Sequence, residues 1–92
     1  MKASDIASGH GVVGEINGRP VAVYNAGDRL VVLENICTHM GCQTDWNDSG
    51  DSWDCPCHGS RYHPDGSVML GPAAQPLPRL QYRLENGEIA LD

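Results

Sequence analysis

The sequence lacks any run approaching the roughly 20 apolar residues of a membrane-spanning helix. Its longest apolar candidate, LVVLENI, is interrupted by Glu34 and Asn35. It also lacks a basic run: six Lys and Arg stand against twelve Asp and Glu, for a net charge of -6. That excludes the electrostatic footprint of a nucleic-acid or anionic-membrane binder. The opening MKASDIASGHG has neither an apolar h-region nor a twin arginine, so no export signal is visible. A cytoplasmic location is expected, unless a leader or a larger neighbour lies outside this stretch. A sustained 3.6-residue apolar period is missing too, and eleven glycines and six prolines disfavour helix. Ninety-two residues are expected to form one small domain, 1–92. Chains this short bury a modest fraction of their surface and often need a cross-link or a metal.

What is present is a series of short strands divided by turns. GVVGEI and PVAVY flank Asn17-Gly18, a pair that tolerates the positive φ of a type I′ hairpin turn. Ala26-Gly27-Asp28 turns the chain into LVVLEN, and TDW and SWD flank NDSGD as a further hairpin. RLQYRLE, Asn86-Gly87 and EIALD repeat the first device, with Leu80, Tyr82 and Leu84 on one face. The expected architecture is all-β, with small antiparallel sheets and two loops at one end. Trp46 and Trp53 are read as cross-strand packing, and His10 and His63 as ordinary surface residues.

The chemistry is concentrated in those two loops. CTHMGC (37–42) and DCPCHGSRY (54–62) give C-x-H-x2-C, twelve residues, then C-x-C-H. All four cysteines and two of the four histidines lie within them. A zinc ion could take two thiolates and two imidazoles, but two cysteines would be left over. A two-iron, two-sulfide cluster uses every group: each arm gives one Cys to one iron and one His to the other. The spare cysteines then tie the arms together. The residues alone do not decide between Cys55 and Cys57 as ligand.

CTHMGC and CPCHGS resemble the two boxes of Rieske iron–sulfur proteins, in the high-potential form that carries a disulfide. The resemblance runs from about residue 11 to 90 and includes Gly41, Gly59 and Ser60. It implies a Rieske fold with a cluster-binding part at about 36–75, holding one [2Fe-2S] cluster. Cys37 and Cys55 would bind one iron, His39 and His58 the other, and Cys42 and Cys57 would form the disulfide. Ser60 would donate to a bridging sulfide and Tyr62 to a ligand thiolate. Met40 would shield the cluster or meet a partner. Gly71 and Pro72 open GPAAQPLP, similar to the family's proline-rich covering loop, with Ala74 where a second proline often stands. Both disulfide cysteines are expected to lie under the loops.

The implied function is one-electron transfer, by a free carrier or by the electron-transfer domain of a larger oxidoreductase, with no catalysis by the chain itself. A redox protein or a flavin domain would be the partner. With neutral imidazoles, two ferric irons, two sulfides and two thiolates sum to zero charge. An electron therefore enters more easily than into an all-thiolate cluster, and Rieske potentials span roughly -150 to +300 mV against about -400 mV for plant-type ferredoxins. The alternative is a zinc-stabilised binding module without redox activity.

Overall fold

In the computed structural model, which describes residues 1–37, 41–57 and 59–92, Asn17 and Gly18 take φ of 54° and 77°. They turn strand β1 (Gly11–Ile16) antiparallel onto β2 (Arg19–Asn25). A second turn brings β3 (Leu30–Glu34) antiparallel onto β2, completing a three-stranded sheet. Four short strands follow as a meander: β4 (Asp45–Asn47), β5 (Ser52–Asp54), β6 (Arg61–Tyr62) and β7 (Val68–Leu70). The last hairpin, β8 (Tyr82–Glu85) and β9 (Glu88–Leu91), turns at Asn86-Gly87. A single 3₁₀ turn, Ala3–Asp5, precedes β1. The chain is thus all-β and antiparallel, as its turn signals predicted.

The apolar runs of β2 and β3 follow from burial on both faces of the first sheet. Ala22, Val31 and Leu33 face the four-stranded sheet and pack with Trp53, Tyr62, Cys37 and Cys55. Val21, Val23, Leu30 and Val32 face the other way and pack with Ile6, Ile16 and Ile89. A strand buried on both sides loses its alternation and reads as continuous hydrophobicity. Trp46 and Trp53 are cross-strand partners whose rings meet edge to face at 4.8 Å.

One expected element is shorter than its pattern. RLQYRLE becomes strand only from Tyr82, and Leu84 is about half exposed. The reason lies in β3. Glu34 N–H donates to Pro78 O and Leu80 N–H to Val32 O, so residues 78–80 cover that sheet edge. Their backbone groups are committed there and cannot extend β8.

Candidate metal centre

Both cysteine arms leave the sheets and close on themselves with the same backbone hydrogen bonds. In the first, Gly41 N–H donates to Cys37 O and Cys37 N–H to Cys42 O. In the second, Gly59 N–H donates to Cys55 O at 3.1 Å and Cys55 N–H to Ser60 O at 2.8 Å. The spacings are identical, four residues and five. Gly41 and Gly59 hold φ of 76° and 78°, a left-handed conformation that side-chain-bearing residues adopt at a cost. This repetition makes Cys37 and Cys55 equivalent positions, at the start of each loop.

Cys37 and Cys55 are both buried, each 2% exposed. Cys42 and Cys57 form a disulfide that joins the two arms, with Cα atoms 6.5 Å apart. Cys55 Sγ lies within 4.8 Å of both disulfide sulfurs. Three sulfurs therefore converge, but two are oxidised and cannot act as thiolates, so this is no three-thiolate metal site. One expectation is corrected: Cys57 is exposed and Cys42 half-buried, so the bridge lies at the surface rather than under the loops. His39, Met40 and His58 lie outside the described residues.

Two buried hydroxyls belong to the end of the second arm and the strand that follows it. Tyr62 Oη is 3.2 Å from Cys37 Sγ and fully buried, and a phenol in that position donates to a thiolate. Ser60 is fully buried, and its Oγ accepts a hydrogen bond of 3.1 Å from Ala73 N–H. The serine proton remains to be donated elsewhere. Gly71 and Pro72 are exposed at the start of the proline-rich segment 71–78. That segment is held by the buried side chains of Ala73 and Leu77 and by Leu77 N–H donating to Gly66 O. Ala74 faces solvent, so a proline missing there leaves no gap in the core.

Three features of the site escaped the sequence reading. Ala73 and Leu77 anchor the segment 71–78, where prolines drew attention instead. Asn35 and Thr44, both fully buried, bond across the base of the first arm. Asp54 and Arg61 do the same for the second arm. The signal for the last pair was legible: opposite charges stand immediately outside CPCHGS at both ends. Partial burial pushes Asp54 up, but hydrogen bonds from Ser52, Asn47 and Arg61, with the Arg61 charge, hold it below the usual aspartate range. His10 is exposed, as expected of a surface residue, and it has a partner. Its Nδ1 is 2.8 Å from Asp48 Oδ1, and Trp46 Nε1–H donates to the same oxygen. These two hydrogen bonds and the imidazole charge keep Asp48 below its ordinary range.

The donor set fits a cluster that needs thiolates on one side: two buried thiols at equivalent loop positions, a buried phenol at one of their sulfurs, and the remaining cysteines spent on a bridge between the arms. Comparison with known proteins points the same way. The family model of the Rieske [2Fe-2S] domain matches residues 1–81. YhfW of Bacillus subtilis, named as a Rieske 2Fe-2S iron–sulfur protein, is 46% identical over 81 residues, which is 87% of this chain and 16% of that protein. The cytochrome b6-f complex iron–sulfur subunit of Chlorobaculum tepidum is 38% identical over 97% of this chain and 49% of its own. Among solved structures, the plasma membrane Rieske protein PetC3 of Synechocystis superposes with a TM-score of 0.82 at 27% identity, covering 99% of this chain and 94% of that one.

Proposed function

The chain belongs to the Rieske [2Fe-2S] domain family, and from that premise we propose that Cys37, His39, Cys55 and His58 hold its cluster. Bound there, the cluster supplies reversible one-electron acceptance. The chain's own residues do the rest. Cys37 and Cys55 present thiolates from the two loop starts, and the histidines present neutral nitrogen donors to the second iron. Tyr62 and Ser60 donate hydrogen bonds toward sulfur, which favours the more negative, reduced state. The Cys42–Cys57 bridge joins the arms. Met40, Gly71 and Pro72 lie beside the cluster in this reading and screen it from water. The observation that carries the assignment is the repeated loop geometry, which puts Cys55, and not Cys57, in the position equivalent to Cys37.

The zinc alternative is not favoured. With Cys42 and Cys57 bridged, the remaining two thiols and two imidazoles could also suit zinc, so what decides against it is the matching family, which carries a [2Fe-2S] centre. Anaerobically purified protein should be brown and contain iron and acid-labile sulfide in equal amounts. A colourless protein with one zinc ion would overturn the reading.

The physiological setting follows from the proportions of the relatives. The chain spans about half the length of the b6-f subunit and about a sixth of YhfW. We take 1–92 as one electron-transfer domain, with its cluster-binding part at about 36–75 and no substrate of its own. A match to so small a part of YhfW favours a domain appended to a larger oxidoreductase, with a flavin or redox-protein partner. Among the described residues no helix is long and apolar enough to cross a membrane. A cytoplasmic setting belongs to the proposal and is tested by cell fractionation. The partner is tested by stopped-flow reduction of the cluster within the full-length gene product.

A further inference from the structure

The base of the second arm carries a side-chain network with no part in the chemistry above. Asp54 immediately precedes Cys55, Arg61 immediately follows Ser60, and the two are cross-strand partners where the loop begins and ends. Arg61 Nε donates to Asp54 Oδ1 at 3.1 Å, and its Nη2 donates to Ser52 Oγ at 3.0 Å. Ser52 Oγ donates onward to Asp54 Oδ1 at 2.7 Å, and Asn47 Nδ2 donates to Asp54 Oδ2 at 2.9 Å. The guanidinium lies close over the preceding turn, since a Cβ on Gly50 would meet Arg61 Nη2 and displace it.

Strand geometry links this network to the cluster side. Successive side chains point to opposite faces. Tyr62 is fully buried with its hydroxyl 3.2 Å from Cys37 Sγ, and Ser60, the residue before the strand, is fully buried too, whereas Arg61 between them is about one-third exposed. What fixes the outer side chain therefore fixes the backbone that carries both inner hydroxyls. Hydrogen bonds to sulfur depend steeply on distance and angle. Loosening Arg61 would disturb the backbone that carries Tyr62 and its contact with Cys37 Sγ, and with it the adjoining Ser60.

We propose that Asp54 and Arg61 form a positioning clamp, which sets the electron affinity of the centre by holding Ser60 and Tyr62 in register with the sulfurs and not by its own charges. The inference rests on the [2Fe-2S] reading given above. Its rival is electrostatics through space, and the two differ in sign. As a bare charge, Arg61 raises the potential and Asp54 lowers it, so their removal would shift the potential in opposite directions. As a clamp, either loss lowers it.

The test uses the cluster-loaded protein with Arg61→Gln, Asp54→Asn and Arg61→Lys. The midpoint potential, the electron paramagnetic resonance line width of the reduced centre, and the rate of bleaching by a chelator are compared with the parent. All three variants are expected to show a lower potential and broader lines, and the Gln and Asn variants to bleach about fivefold faster, as for loss of a partly exposed pair. Arg61→Lys is the sharpest arm. It keeps the charge, so electrostatics predicts no shift, whereas the clamp predicts a fall. Should Arg61→Gln fail to take up a cluster, Asp54→Asn and Arg61→Lys carry the same comparison. A rise for Asp54→Asn, or an unchanged Arg61→Lys, overturns the clamp. Parent protein without acid-labile sulfide overturns the functional reading instead, and this inference with it.

Discussion

The two arms share their backbone hydrogen bonds but are closed at the neck by different chemistry. Below the first, Asn35 and Thr44 are fully buried and uncharged, joined by three hydrogen bonds: Thr44 N–H and Oγ1 donate to Asn35 Oδ1 at 2.9 and 2.6 Å, and Asn35 Nδ2 donates to Thr44 O at 3.1 Å. Below the second stands an ion pair whose side chains are about one-third exposed. Surroundings dictate the choice. The first neck leaves β3, which is buried on both faces, where a charge pair would suffer a large desolvation penalty. The second sits on a sheet with one open face, where water lowers that penalty and hydrogen bonds to neighbours fix the geometry. One neck is thus strong because it is buried and satisfied; the other is adjustable because it is wet.

The largest effect is expected where that comparison is broken in the buried neck. Asn35→Ala leaves the Thr44 amide and carbonyl buried without partners, which costs about 4 kcal/mol. For a domain of this size, melting should fall by about 20 °C, read by circular dichroism. Next comes the link between the arms. Removing the bridge with Cys42→Ala and Cys57→Ala frees a loop of 15 residues and costs about 3 kcal/mol on the chain-entropy estimate. The denaturant midpoint should fall accordingly. Because Cys57 is exposed, a mild reductant should produce the same loss in the parent.

Smaller effects sharpen the contrast. Tyr62→Phe keeps the ring packed and removes only the hydroxyl at Cys37 Sγ. A stability loss of about 1 kcal/mol is expected, with a lowered midpoint potential and the visible spectrum retained. The smallest change is with acid. Asp54 is held below its ordinary range in the folded chain. Its contribution is therefore complete above the unfolded aspartate pKa of about 3.9 and is lost as pH falls through the lower folded value. The uncharged first neck has no such dependence. Amide exchange at Cys55 and Gly59 should accelerate below the aspartate range relative to Cys37 and Gly41, and equal acceleration in both arms would contradict the distinction.

The hairpins were legible because Asn17-Gly18 and Asn86-Gly87 specify turns locally, and the ligand candidates because Cys and His at those spacings have few other uses. The necks were not. Asn35 and Thr44 carry nothing in their identities that announces a partner nine residues away. Leu84 misled because its alternation is locally consistent; residues 78–80 are drawn to β3 instead. The surface position of the disulfide was also hidden, since spacing says which cysteines are spare but not which side of the loops they occupy.

The central claim is that thiolates hold one iron and imidazoles the other. Pulsed electron paramagnetic resonance on the dithionite-reduced protein, with nitrogen couplings resolved, tests it most directly. Two histidine nitrogens coupled to the reduced centre are predicted, each lost on replacing His39 or His58. A reduced [2Fe-2S] signal without directly bound nitrogen would contradict the account.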